Sequence, residues 1–113
     1  MEELYQLANE GADFDIVDEL GMSPLMKAAL QNDITLVSFL LKHTSNINAE
    51  DKMGNSALYY ATKNNNIDIV KLLCENGATV TDFIYMVAVH NNFKKITKYF
   101  DKLAQDNGYA LTI

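Results

Sequence analysis

The stretch Asp18-Glu19-Leu20-Gly21-Met22-Ser23-Pro24-Leu25-Met26-Lys27-Ala28-Ala29 decides the fold, because it returns as Asp51-Lys52-Met53-Gly54-Asn55-Ser56-Ala57-Leu58-Tyr59-Tyr60-Ala61-Thr62. Residues 18–50 and 51–83 align over 33 positions without a gap and are identical at nine of them. These are Asp18/Asp51, Gly21/Gly54, Ser23/Ser56, Leu25/Leu58, Ala28/Ala61, Asn32/Asn65, Ile34/Ile67, Val37/Val70 and Leu40/Leu73; Leu36/Ile69, Phe39/Leu72 and Ile47/Val80 are conservative. A fixed period of this length marks stacked supersecondary units, each too small to bury its own apolar face. Function in such a chain lies on a long surface and not in a pocket.

Within each unit the residue types spell turn, helix, turn, helix. Gly21 and Gly54 supply the permissive backbone of a turn. Ser23 and Ser56 stand where an N-cap belongs, and Pro24 follows at the first helical position, where its missing N–H costs nothing. Leu25, Ala28 and Ala29, with Leu58 and Ala61 in the copy, give a short helix whose small residues admit a close neighbour. Gln31-Asn32-Asp33 and Asn64-Asn65-Asn66 close that helix. A second one follows with apolar Ile34, Val37, Leu40 and Leu41, matched by Ile67, Val70, Leu73 and Cys74, a spacing that makes one helix face.

Asp18-x-x-Gly21-x-Ser23-Pro24-Leu25-x-x-Ala28-Ala29 resembles the ankyrin-repeat pattern D-x-x-G-x-T-P-L-H-x-A-A. Asp51-x-x-Gly54-x-Ser56-Ala57-Leu58-x-x-Ala61 is similar to it, and Asn76-Gly77-Ala78-Thr79-Val80 and Glu10-Gly11-Ala12-Asp13-Phe14 resemble the ending N-G-A-D-V. Met26 and Tyr59 replace the family's histidine, so its hydrogen bonds are missing or replaced, and the loops are expected to be less firmly tied than in a consensus array. The resemblance implies an all-α ankyrin-repeat solenoid. Its turns and first helices line a concave side, and its second helices form the convex back.

The ends depart from the repeat. Leu4, Leu7, Ala8 and Gly11 fall one period before Val37, Leu40, Leu41 and Thr44, so residues 1–17 read as a half-repeat cap. Forwards, the match continues with a deletion of seven residues that sets Ile84 on Leu58, Phe93 on Ile67 and Ile96 on Val70. Asp82 then stands as N-cap where Ser56 was. The expected organisation of this single domain is a cap (1–17), two full repeats (18–50 and 51–81), a degenerate repeat of two helices with no glycine turn (82–103, helices near 82–91 and 93–103) and a tail (104–113). Asn107-Gly108 is a turn signal, beyond which the apolar end either folds back over the last helix or stays free to bind.

Net charge is −6. Seven acidic residues fall between 2 and 19, whereas Lys94, Lys95, Lys98 and Lys102 cluster on the last predicted helix. All nine basic residues are lysine, which removes the bidentate guanidinium contacts that read guanine and argues against sequence-specific nucleic-acid binding. The lysine cluster reads as a solvated outer face. No apolar run reaches the roughly 20 residues needed to span a bilayer, so no membrane role is expected. Glu2 and Glu3 stand where a signal peptide would place lysines. The single cysteine rules out an internal disulfide framework, and Cys74 falls at a core position. On these features the chain is expected inside the cell, in the cytoplasm.

Catalytic constellations are not found. His43 and His90 are far apart in the repeat and have no acidic or cysteine partner at metal-ligand spacing. The glycines are spread at repeat boundaries and never cluster around a phosphate. No metal or cofactor is expected, and the chain reads as a non-enzymatic protein–protein interaction module, an adaptor or an inhibitor. An inhibitor could be an immunity or antitoxin-type protein covering a basic toxin or enzyme; a structural subunit of a larger assembly is the other alternative. The partner is a protein, with a basic patch favoured by the acidic N-terminal end, and the chain alone is expected to be a monomer. The candidate binding residues are Glu19, Leu20, Met22, Glu50, Lys52, Met53 and Asn55 at the turn tips, with Leu30, Gln31, Tyr59, Lys63, Asn64 and Tyr85 on the first helices. Met26, Tyr59 and Tyr85 share one position of the repeat and either pack between neighbouring first helices or face the partner.

Overall fold

A helix of seven or eight residues is not stable alone in water, and this chain pairs and stacks such helices. The computed structural model describes residues 14–106. They form α1 (Pro24–Leu30), α2 (Ile34–Leu41), α3 (Ala57–Lys63), α4 (Ile67–Glu75), α5 (Asp82–His90) and α6 (Lys94–Asp106). Each unit is one antiparallel pair: α1 with α2, α3 with α4, α5 with α6. Neighbouring first helices pack α1 to α3 to α5, and neighbouring second helices α2 to α4 to α6, giving the two layers of a solenoid. Among the described residues there is no strand.

Local chemistry sets the ends of these helices. Ser23 and Ser56 accept from the N–H groups of Met26 and Tyr59, and Asp33 and Asn66 cap the second helices by accepting from Leu36 and Ile69. Each first helix ends the same way. Asn32, Asn65 and Asn92 take φ of 60°, 56° and 57°, a left-handed conformation that asparagine tolerates better than other side-chain residues. The next residue's N–H (Asp33, Asn66, Phe93) then reaches back to the carbonyl of Ala28, Ala61 or Ala88, at 3.0, 3.1 and 2.9 Å. That is the paired-bond helix ending in which a left-handed residue lets two orphan carbonyls be satisfied. It reverses the chain into the second helix.

The core is periodic. Leu25, Ala28, Val37 and Leu40 of the first unit and Leu58, Ala61, Val70 and Leu73 of the second are all buried. The fully buried alanines bring first helices close enough for their neighbours' side chains to interdigitate. Four predicted core residues fall short: Ile34, at the first position of α2, is 42% exposed, and Leu41, Ile67 and Cys74 are half-buried.

The third unit departs from its predicted register. Its N-cap is Thr81, whose hydroxyl accepts from Ile84 N–H, and not Asp82. Ser56 and Thr81 are 25 residues apart, while Asn65 and Asn92 are 27 apart. Against the period of 33, eight residues are lost before α5 and two are gained within it. A single gap of seven therefore misplaces both helices by one residue. The structural equivalents of Ile69 and Leu73 are Ile96 and Phe100, and the equivalent of Leu25 and Leu58 is Tyr85; all are buried. The last helix also begins at Lys94 and runs to Asp106, beyond the expected end at 103. The predicted cap (up to residue 13), Asn107-Gly108 and the remainder of the tail lie outside the described residues.

Replacing Asn65 with valine puts a β-branched residue at positive φ. It is expected to cost about 1–2 kcal/mol in urea unfolding, whereas Asn65→Gly should leave the midpoint nearly unchanged.

Candidate functional site

The turns at 18–22 and 51–55 project from the first helices as two short fingers, each built around one aspartate. Asp18 Oδ1 accepts from the N–H groups of Leu20 and Met22, both at 2.9 Å, and Asp51 Oδ1 accepts from those of Met53 and Asn55 at 2.9 and 3.0 Å. Gly21 and Gly54 close the turns by donating to the Asp18 and Asp51 carbonyls, at φ of 79° and 81°. Asp51 is buried and also accepts from the Tyr60 hydroxyl. Burial opposes its ionisation, but the Tyr60, Asn55 and Met53 donors outweigh it and hold the carboxyl below its ordinary range. Burial and the same contact push the Tyr60 phenol up. Asp18 is also lowered, first by the Met22 N–H and then by Lys27, whose ammonium lies 3.0 Å away in an exposed pair.

The fingers are bonded to each other. Lys52 N–H donates to the Leu20 carbonyl at 3.0 Å, and a Cβ on Gly21 would meet that nitrogen at 3.0 Å. A backbone bond thus ties the two fingers, and side-chain clamps assist at the other loops. Asn48 accepts from Thr79 N–H at 2.8 Å and donates to the Gly77 carbonyl at 3.2 Å. One period earlier, Asp15 accepts from the Thr44 and Ser45 hydroxyls, both at 2.7 Å, which lowers its pKa, Thr44 most strongly.

The candidate residues separate into two patches. Glu19, Leu20, Lys52 and Met53 are exposed on the bonded fingers, with Glu50 exposed and Met22 and Asn55 half-buried beside them. Leu30, Gln31, Lys63 and Asn64 lie at the other end of α1 and α3, joined by Asn64 donating to the Leu30 carbonyl at 2.7 Å. At 1.5 Å per residue a seven-residue helix puts the patches about 10 Å apart. The pairing of Met26, Tyr59 and Tyr85 fails. Met26 is buried, Tyr59 is half-buried, and Tyr85 is a core residue whose hydroxyl donates to Asp101 at 2.7 Å. Tyr85 is thus withdrawn from the accessible set.

Phe83 was missed. It is 60% exposed and stacks on Tyr59, centroids 5.6 Å apart and planes at 15°. Thr81 as N-cap is the sequence feature that could have revealed it, because the Ile84, Tyr85, Ala88 stripe then leaves Phe83 outside the core. Ile16 and Val17, just before the first finger, are also exposed.

Nothing in the described residues assembles reactive groups. His43 lies against the rings of Phe39 and Phe14, at 4.7 and 5.4 Å, and His90 ends α5. Among the described residues no group of three or more His, Cys, Asp or Glu is placed to hold a metal ion. The Cys74 thiol is pushed up to about 12 by burial, with Glu75 adding to it, so it is a poor nucleophile. A groove of about 770 Å³ between α4 and α6 mixes lysines such as Lys71 and Lys98 with Asp68 and Glu75 on the convex side. No helix among the described residues is long and apolar enough to cross a membrane.

A family model described as ankyrin repeats (3 copies) matches residues 2–84. Among curated proteins, the chain is 37% identical over 75 residues to a putative ankyrin repeat protein of Acanthamoeba polyphaga mimivirus, covering 66% of this chain and 10% of that one. It is 40% identical over 73 residues to the B-cell lymphoma 3 protein homolog of Mus musculus, covering 64% and 16%. A palmitoyltransferase of Lachancea kluyveri is 35% identical over 89 residues, 79% of this chain and 12% of that protein. The chain thus spans between a tenth and a sixth of the length of these relatives.

The lowered Asp15, Asp18 and Asp51 shape the acid response. Their ionised forms contribute stability above the unfolded carboxyl value of about 3.9, and that contribution is lost as pH falls through the lower folded values. The urea midpoint should therefore hold from pH 7 to about pH 5 and fall below about pH 4. Asp51→Ala should lower the pH 7 midpoint and flatten part of that fall. A thiol reagent should label native Cys74 slowly at pH 7 and rapidly once urea unfolds the chain.

Proposed function

Because the chain belongs to the ankyrin-repeat family, whose repeats generally mediate protein–protein interaction, we propose that it is a non-enzymatic module that grips another protein through its fingers. The observation carrying this reading is the pair of apolar tips: Leu20 is 63% exposed and Met53 81% exposed, on fingers joined by the Lys52–Leu20 backbone bond. Contiguous exposed apolar side chains on a rigid support are the usual centre of an interface, and methionine adapts to the shape it meets. Holding the tips in place beforehand reduces the ordering cost of binding.

The charges beside the tips support a basic partner surface. Glu19 and Glu50 are exposed, and the lysines of α6 lie in the unit at the far end of the stack from the first finger. Like-signed carboxylates at one end steer an oppositely charged partner and speed its arrival. An inhibitor that covers a basic enzyme or toxin fits this polarity, and an adaptor fits the apolar tips equally well. The chain works as a monomer in the cytoplasm on this reading.

Affinity capture from lysate of the source organism tests it. Wild type is expected to retain a partner that Leu20→Ser/Met22→Ser/Met53→Ser loses, with circular dichroism confirming that the variant remains helical. A partner lost instead on Leu30→Ser/Lys63→Ser, and kept by the finger variant, would move the site to the opposite end of the first helices and overturn this assignment.

A further inference from the structure

The two fingers form the start of a ribbon whose next member is missing. Lys52 N–H bonds to the Leu20 carbonyl, and one period after Leu20 stands Met53, in a finger of the same aspartate-clamped geometry. Among the described residues no backbone N–H donates to the Met53 carbonyl. The glycines report the same asymmetry. A Cβ on Gly21 would meet the Lys52 backbone at 3.0 Å, whereas a Cβ on Gly54 would meet nothing within 4 Å. The eight residues lost before α5 are those that would have made a third finger, and the chain passes from Val80 to the Thr81 N-cap directly. At the root of the slot stands Phe83, on the first turn of α5, stacked on Tyr59 from the first turn of α3.

On the basis of the protein-binding function above, we propose that this slot receives a turn or extended segment of the partner protein, which replaces the missing finger. The segment donates a backbone N–H to the Met53 carbonyl, as Lys52 does to Leu20. An apolar side chain of the same segment rests on the Phe83–Tyr59 stack. The occupant follows from continuity with the ribbon: the open edge presents a carbonyl and an apolar shelf, with the Asp51 carboxylate already used by its own finger and Tyr60. A main-chain donor beside an aliphatic or aromatic side chain satisfies both. Recognition by adding backbone to an unfinished edge gives affinity from the main chain and selectivity from the neighbouring pocket.

The probe is a synthetic cyclised peptide copying residues 50–56, the chain's own second finger, with the turn closed in advance. Titrated into isotope-labelled full chain, it is expected to move the amide resonances of Met53, Gly54 and Phe83 while leaving α2 unchanged. Methylating the peptide's lysine backbone nitrogen removes the donor and should weaken binding at least tenfold. Gly54→Asn, which plants a side chain in open space at a φ asparagine tolerates, should weaken it similarly, and so should Phe83→Ser. Equal affinity of the methylated peptide, or no shifts at Met53 and Gly54, overturns the proposal. In the capture experiment, a partner kept by Gly54→Asn/Phe83→Ser but lost by Leu20→Ser/Met22→Ser leaves the finger-tip function standing and removes the slot. Self-association on light scattering that Gly54→Asn abolishes would assign the slot to a second copy instead, against this proposal.

Discussion

A left-handed asparagine at the end of each first helix makes the rest of this structure possible. Asn32, Asn65 and Asn92 stop each first helix and turn the chain back on itself. Only an antiparallel return lets helices this short share a buried face. If that residue took the helical conformation, the first and second helices would run on as one rod with its apolar stripe divided between two faces. Asparagine holds the position at less cost than any other side-chain residue, and glycine would hold it with greater loss of chain entropy. Unit pairing comes first, and stacking of the pairs follows from the apolar seams it creates.

Stacking in turn fixes where the exposed loops sit. The alanines Ala28, Ala61 and Ala88 are fully buried and bring the first helices together, so the loops entering them lie side by side. The first two loops are long enough to rise as fingers and bond at Lys52 and Leu20. The third is not, and α5 takes up part of the lost root with two additional helical residues. The result is an apolar edge, Leu20 to Met53, that stops short at an exposed Phe83 stacked on half-buried Tyr59. A ribbon that ends before the stack does leaves backbone groups for another chain to meet.

Much of this was legible in the sequence, and the losses have physical reasons. The period, the serine caps, Pro24 and the buried pairs Leu25/Leu58, Val37/Val70 and Leu40/Leu73 were read correctly because cap chemistry and burial each restrict residue type. The tie between fingers was not, since any residue except proline brings an N–H, and Lys52 carries no mark of its partner. The Asp15 and Asn48 clamps escaped for a related reason: short polar residues are common in loops, and only geometry selects those that bridge. The third unit misled because two changes of opposite sign fell close together. One gap of seven matched neither the eight residues lost nor the net loss of six, and this placed Tyr85 on the surface and passed over Phe83.

On the proposed function, the finger side and not the convex back meets the partner. Site-specific incorporation of a photo-crosslinking phenylalanine analogue at Leu20 or Met53, and separately at Lys71 on the exposed face of α4, tests it in lysate of the source organism. A discrete adduct is expected from the finger positions and none from position 71. An adduct from position 71 with none from the fingers would contradict it.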